Sequence, residues 1–265
     1  MTPAEILTPE LSDAAQTLRD QEQPFAFATI VRTVGFTAAK PGAKALLAAD
    51  GTILEGWLGG GCARGAVKRA TVEAMKSGNP QLISVAPEEF LAEHGVEAGM
   101  VQDGISYARS GCPSKGTVDI FIEPYLPMPE MVIIGGSSVA QALLRVAPQF
   151  HWMVTASADG KELARANRRR FIVVATQGQS DLSALETALE AGAEHISFVG
   201  SVRKFGSLSA KLVAKGADAS KVAAIQAPAG LDIAAVTPDE IALSILADLV
   251  RLRRSQAKEA QHGAL

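Results

Sequence analysis

Residues 131–143 read MVIIGGSSVAQAL, and this stretch decides the fold of the second half of the chain. Met131 to Gly136 is a run of Val and Ile that ends in two glycines, the pattern of a strand buried on both faces. Small and apolar residues then predict a helix over about Val139–Ala147. Gly135 and Gly136 suit a tight turn and Ala140 suits close helix packing, as in a dinucleotide-binding GxGxxG/A loop. Ser137, followed by Ser138, stands where that loop has its second glycine. Asp159 is the only acidic residue near the end of the next strand, and it falls a little late for a ribose ligand.

Working outward toward the C-terminus, strands are predicted at Trp152–Ala156, Phe171–Gln177 and His195–Gly200. Helices are predicted at about Leu182–Ala191, Gly206–Ala214 and Pro238–Arg253. Apolar strands alternating with helices imply a parallel sheet covered on both faces, so residues 130–255 read as a Rossmann-like, doubly wound domain. Thr237-Pro238-Asp239-Glu240 starts the last helix with a cap, a proline at the first helical position and a capping-box glutamate. The polar residues 256–265 read as a flexible tail.

Toward the N-terminus, Glu123 to Pro129 carries three prolines in seven residues, a stiff segment that marks a domain boundary. Residues 1–124 mix helix and strand: a helix over Leu7–Gln21, a strand over Phe25–Arg32, and a hairpin turning at Asp50-Gly51. A helix from about Ala63 to Ser77 follows, then strands at Gln81–Val85, Ile105–Ser110 and Thr117–Glu123. The fold class is therefore α/β, with an N-terminal mixed α+β domain before the Rossmann-like one.

Apolar residues make up 48% and charged residues 20% of the 265, which excludes a disordered chain. Aromatics at 5% and a net charge of −3 argue against a nucleic-acid binder. The apolar runs are strand-length, and Met1 to Glu5 lacks a basic segment leading into an apolar one, so no membrane segment is expected and the cytoplasm is the expected compartment.

The two cysteines, Cys62 and Cys112, are too few for a disulfide scaffold. Cys62 follows Gly59-Gly60-Gly61 at a helix start, where glycine N–H groups can face an anion and the same field lowers a thiol pKa. Cys112 sits between Gly111 and Pro113 on a turn. Such thiols are either packing residues or a pair that holds a metal, passes a persulfide or forms a redox couple. His94, His151, His195 and His262 show no ligand spacing, so structural zinc is not expected and each reads as a surface or edge residue. The loop from Thr33 to Lys44 offers Gly, Thr and Lys to an anion. Gly200-Ser201-Val202-Arg203-Lys204 lies at the carboxyl end of a parallel strand, where it is either a phosphate site or a solvated helix start. Asp232 either pairs with a ligand or satisfies local backbone N–H groups.

Taken together, these motifs resemble the XdhC/CoxI family, accessory proteins of xanthine dehydrogenase and carbon monoxide dehydrogenase. The resemblance covers nearly the whole chain. It is carried by Ala28–Gly51, GGGCARGAV (Gly59–Val67), the Cys112 turn, VIIGGSSVAQAL (Val132–Leu143), VVATQGQSDLSAL (Val173–Leu185), FVGSVRKF (Phe198–Phe205) and GLDIAAVTPDEIALSILADLV (Gly230–Val250). It implies a cofactor-binding maturation factor, closer to a chaperone than to a turnover enzyme. Such a protein binds a molybdopterin-type molybdenum cofactor, in some cases its cytosine dinucleotide form. It supports sulfuration by a cysteine desulfurase-type sulfurtransferase and delivers the cofactor to an apo molybdenum hydroxylase. The resemblance also implies Cys62 and Cys112 as sulfur or molybdenum ligands, and a homodimer. The chain departs from the family pattern at Phe36–Lys40, at Arg64 where an acidic residue is common, and at Gly135–Ser138 where Gly-Ala-Gly-His is common. Two further readings remain: an NAD(P)- or FAD-dependent oxidoreductase, and an assembly module that holds no cofactor.

Overall fold

The structure, a computed structural model, describes residues 9–111, 115–161, 163, 168–178 and 180–262. The chain divides into two compact units, Met1–Pro127 with Gln256–Leu265, and Met128–Ser255.

In the first unit the elements run α1 (Pro9–Asp20), β1 (Phe25–Val34), β2 (Lys44–Ala48), β3 (Ile53–Gly56), α2 (Arg64–Ser77), β4 (Gln81–Ala86), α3 (Glu88–Glu93), β5 (Val101–Gln102), β6 (Ile105–Arg109) and β7 (Thr117–Tyr125). The strands form one sheet in the order β3-β2-β1-β7-β4-β6-β5. Only β4 and β6 pair in parallel; the other neighbours are antiparallel. Alternation along each strand sorts the side chains. Ala26, Ala28 and Ile30 of β1, Val118, Ile120 and Ile122 of β7, and Ile83 and Val85 of β4 bury against Val67, Ala70 and Ala74 of α2. On the opposite face, Leu11 and Ala15 of α1 cover Phe25 and Leu46, and Leu91 of α3 packs with Ala86 and Val96.

Two local features shape the sheet around β1. The register shifts between Ile30 and Arg32, so Val31 is an extra residue in β1. Arg32 thereby pairs across to Asp119, with its Nε 2.5 Å from the carboxylate. The β2–β3 hairpin turns as expected at Gly51, with φ of +82°; a Cβ there would come 2.6 Å from Lys68 Cα, so the hairpin tip rests directly on α2. At its far end α2 stops at Gly78, which adopts the left-handed conformation.

The second unit runs β8 (Glu130–Ile134), α4 (Ser138–Val146), β9 (Met153–Ser157), β10 (Arg170–Val174), α5 (Asp181–Glu190), β11 (His195–Phe198), α6 (Val202–Ala214), α7 (Ala219–Ala223) and α8 (Pro238–His262), the last as far as Ser255. Four parallel strands lie in the order β11-β10-β8-β9. β8 and β10 are buried along their whole length, which explains their uninterrupted apolar runs. α4 and α8 cover one face of the sheet; α5, α6 and α7 cover the other. This is the doubly wound, Rossmann-like architecture. At the start of the sheet the buried Arg170 Nε reaches Glu130 at 2.7 Å, and the Thr155 hydroxyl donates to the same carboxylate at 2.7 Å, tying three strands together.

Some boundaries differ from the sequence expectation. α6 begins at Val202, not at Gly206, because Ser201 caps it: the Lys204 N–H donates to Ser201 Oγ at 3.2 Å. β11 ends at Phe198 rather than Gly200. α8 continues to His262, through most of the segment expected as a flexible tail. The short helices α3 and α7 were not anticipated. Among the described residues, no helix is long and apolar enough to cross a membrane.

Candidate functional site

One edge of the first sheet gathers the C-terminal ends of β1, β4 and β6 and the start of β7. The loop 35–42 leaves β1 at this edge. It meets both cysteine-bearing segments. Gly59, with φ of +93°, backs onto Ala39: a Cβ at Gly59 would lie 3.1 Å from that side chain. Gly116 backs onto the same loop, where a Cβ would lie 3.0 Å from Thr37 Cβ, and Phe36 forms a parallel bridge with Lys115. Cys62 falls on the 3-10 turn Gly61–Ala63 that leads into α2. Its side chain lies outside the described set, as do Cys112, Pro113 and Ser114. The described flanks of the two thiols therefore converge on Phe36–Ala39.

Beside the glycine turn, a cavity of about 460 Å³ opens between the β2–β3 hairpin and α2. Its lining includes Trp57, Gly59, Gly60, Arg64, Val67 and Lys68. The helix start here has no side-chain cap at Gly60 or Ala63, and the Arg64 N–H donates to the Gly61 carbonyl, closing the 3-10 turn that leads into α2. Arg64 and Lys68 are exposed, and no ion pair ties either of them among the described residues. The charge of Lys68 is felt nearby: Thr52 N–H and hydroxyl bonds, aided by Lys68, hold the Asp50 carboxyl below the ordinary aspartate value.

Lys44, also expected to bind the cofactor, is not brought to this cavity. Its ammonium donates to Thr29 Oγ1 at 2.7 Å. Lys44 and Thr29 are register partners one position out of step with Ala45 and Ala28, which face α2. Both therefore stand on the opposite face of the sheet.

In the second unit, Gly135 adopts φ of +111° and a Cβ there would come 2.6 Å from the Ala175 carbonyl oxygen, so only glycine fits. Gly136 faces open space. Ser137 Oγ accepts from Ala140 N at 3.1 Å and caps α4, whose first residue is Ser138. A crevice of about 520 Å³ is lined by Gly135, Gly136, Ser157, Asp159, Lys161 and Thr176 among others. It lies at the carboxyl ends of β8, β9 and β10, where strand order reverses. Asp159 thus reaches the crevice despite its late position. The Lys161 ammonium, 2.9 Å away, and the Lys161 N–H hold its carboxyl below the ordinary value.

The Gly200–Lys204 segment is used differently from a free phosphate loop. Gly200 packs against the Phe198 ring, and Ser201 is the cap of α6. Lys204 Nζ lies 2.5 Å from Asp181 and over the Phe198 ring at 5.5 Å. Asp181 is buried and also accepts from the Thr176 hydroxyl and from Gly178 N. Burial alone would raise its carboxyl; the Lys204, Thr176 and Gly178 contacts more than offset that and hold it below the ordinary value. Only Arg203 remains exposed there as a cation. Asp232 Oδ1 accepts from Ala234 N at 3.2 Å in a local turn.

Trp57, Lys68 and Asp181 escaped the sequence reading, and Arg64 entered it only as a departure from the family pattern. The signal for the first was present: Trp57 is one of only two tryptophans and stands two residues before the glycine run. His195, expected at a surface or edge, lies on the edge strand β11, half-buried, its Nε2 2.9 Å from Ser197 Oγ. Burial lowers its pKa, a shift that nearby Asp248 opposes. Among the described residues, no group of three or more His, Cys, Asp or Glu could hold a metal ion.

These features define a two-unit α/β protein, with a Rossmann-like second unit and glycine turns gathered at one edge of the first. Residues 18–86 match the XdhC and CoxI family, and residues 131–249 match the XdhC Rossmann domain. The chain belongs to the XdhC/CoxI family. It is 28% identical to the uncharacterized protein YqeB of Escherichia coli (strain K12), over 91% of this chain and 46% of that protein. The chain thus spans about half the length of this curated relative. A crystal structure of a xanthine dehydrogenase from Bacillus halodurans is similar with a TM-score of 0.42 and 19% identity, over 92% of this chain and 95% of that one.

Proposed function

We propose that the first unit holds a molybdopterin-type cofactor beside the Gly59–Ala63 turn and serves maturation of a molybdenum hydroxylase of the xanthine dehydrogenase or carbon monoxide dehydrogenase type. Family membership supports the coarser part, a maturation role related to xanthine dehydrogenase. One observation carries the finer part: the loop 36–39 abuts Gly59 on one side and Gly116 on the other, so the flanks of Cys62 and Cys112 share one edge. The residues suit the group. Open Gly60 and Gly61, and the cations Arg64 and Lys68, which have no ion-pair partner among the described residues, answer its phosphate or pyrophosphate. Bound there, the cofactor would supply the molybdenum that receives the terminal sulfur.

In this reading the N–H groups before α2 and the Arg64 guanidinium bind and orient the phosphate. Cys62 serves in this reading as the sulfur ligand of molybdenum or the carrier of sulfur, roles that a thiolate fills. Cys112 acts as its partner thiol. A cysteine desulfurase-type sulfurtransferase supplies the sulfur, and the apo hydroxylase accepts the loaded cofactor. A homodimer and a cytoplasmic location go with this reading, and the protein is a carrier rather than a turnover enzyme.

The test is to purify the protein from a molybdopterin-producing host and assay released pterin by fluorescence after oxidation. Co-purified pterin that drops on Cys62→Ala or Cys112→Ala is the expected result. No pterin in the wild-type protein would overturn the proposal.

A second reading has its own observation. The crevice of the second unit carries Asp159 beside Gly135 and Gly136, an arrangement suited to the ribose of FAD or NAD(P). Calorimetric titration with each nucleotide tests it. Tight nicotinamide binding with hydride transfer would favour an oxidoreductase over a carrier.

A further inference from the structure

We infer that the cavity between the β2–β3 hairpin and α2 is a site for a flat nitrogen heterocycle bearing a phosphate ester, with Trp57 as its stacking wall. The inference rests on the cofactor reading above for the source of that heterocycle, and on the cavity for its shape. The volume of about 460 Å³ lies within the range of small-molecule sites. Its floor is apolar: Leu58, Ala63 and Val67 are buried, and Ile53 is partly so. Its rim is cationic. Arg64 and Lys68 stand four residues apart on α2, hence on the same side of the helix, and both line the cavity.

Trp57 supplies the remaining wall. Its indole is 52% exposed, whereas the other tryptophan, Trp152, is 2% exposed. The backbone beneath it is fixed, since Trp57 N donates to the Lys44 carbonyl at 3.1 Å. Gly56 is equally constrained, because a Cβ there would come 2.9 Å from Ala45 Cα at φ of +85°. The hairpin thus fixes the backbone from which the Trp57 side chain lines the cavity. Gly60 keeps the space open for a different reason. Its φ of −66° and ψ of 170° suit any residue, and a Cβ there would meet nothing within 4 Å. Glycine is not needed at this position by the backbone, yet any larger side chain would enter the open space. An apolar floor, an aromatic wall and two cations at the rim select a ligand that is planar at one end and anionic at the other. A pterin phosphate has that form, and so does the nucleotide half of a dinucleotide cofactor.

The test titrates the full chain by calorimetry with neopterin monophosphate, neopterin, cytidine monophosphate and inorganic phosphate. Tryptophan emission is followed in parallel. A phosphorylated heterocycle should bind, and Trp57→Ala should weaken it about tenfold, in line with the loss of one aromatic stack. Trp57→Phe should retain most of the affinity while removing the emission change. Arg64→Ala with Lys68→Ala should weaken the phosphorylated compounds toward the affinity of neopterin. Gly60→Leu, which the backbone tolerates, should block binding. Preference for neopterin monophosphate assigns the pterin end to this cavity; preference for cytidine monophosphate assigns the nucleotide end. Binding unchanged by both Trp57→Ala and Gly60→Leu overturns the inference. So does co-purified, Cys62-dependent pterin that Gly60→Leu leaves in place, and in that case the maturation reading survives. Failure of the wild-type chain both to carry pterin and to bind any of the four compounds removes both.

Discussion

The two units each place a glycine-rich turn between a strand and a helix, and they use it in opposite ways. In the second unit the turn serves the fold. Gly135 fits against Ala175, Ser137 caps α4, Ser201 caps α6, and Lys204 is bound to the buried Asp181. In the first unit Gly59 seats against Ala39, but the rest of the turn is open. Gly60 and Gly61 face open space, the helix start has no side-chain cap, and Arg64 and Lys68 have no ion-pair partner among the described residues. A donor already consumed by the chain cannot hold a ligand without first giving up that bond. The contrast is thus in side chains: the second unit has spent its serines and Lys204 on the fold, while Arg64 and Lys68 of the first are not ion-paired among the described residues.

The largest expected effect breaks or upholds this contrast directly. Gly135→Val forces a side chain into backbone at a positive φ and should destabilise the second unit by about 3 kcal/mol or more. Gly60→Leu should change stability by less than about 0.5 kcal/mol. Urea denaturation of both variants measures the difference, and equal losses would erase the distinction between the turns.

Next is Asp181→Ala, which removes a buried acceptor from Thr176, Gly178 and Lys204. It should cost about 2 kcal/mol in the same assay. The folded Asp181 carboxyl sits below its unfolded value near 4. Its contribution is thus full above that value and is lost as pH falls through the folded one. The stability of the wild-type chain should fall more steeply than that of the variant as the medium is acidified below about pH 4. Parallel acid titrations followed by circular dichroism measure this, and equal slopes for the two chains would reject this account of Lys204.

A smaller effect sharpens the role of the caps. Ser137→Ala should lower stability by about 1 kcal/mol through loss of the bond from Ala140 N, with Ser137→Asp restoring most of it. The smallest concerns Lys44. Lys44→Ala should cost no more than about 0.5 kcal/mol and should leave pterin binding unchanged, because its ammonium bonds Thr29 on the far face of the sheet. A loss of affinity in calorimetry would show that the two faces communicate.

Patterns within one element were legible in the sequence, and meetings between distant elements were not. The Asp50-Gly51 hairpin, the capping box at Thr237 and Glu240, and the buried strands at Met131 and Phe171 all announce themselves through local chemistry. The seating of β7 between β1 and β4 does not, because strand order depends on pairings far apart in the chain. The same limit applied to the site. Cys62 and Cys112 stood out by their neighbours, but nothing local said that both flanks would meet Phe36–Ala39. Lys204 looked free because Asp181 precedes it by a whole strand and helix. Gly206 suggested a helix start because glycine usually marks an end, whereas here the Ser201 cap sets the boundary and Gly206 is carried inside α6.

Val31 gives the first unit an unusual engineering handle. It is surplus to the ladder, since Ile30 pairs with Ile120 and Arg32 with Asp119 on either side of it. Removing it would therefore leave every other pair of β1 in register while relaxing the local twist. The loop that touches both thiol-bearing segments is the direct continuation of that strand. A one-residue deletion outside the loop would then redirect the loop without altering any of its side chains, separating the aim of the site from its chemistry.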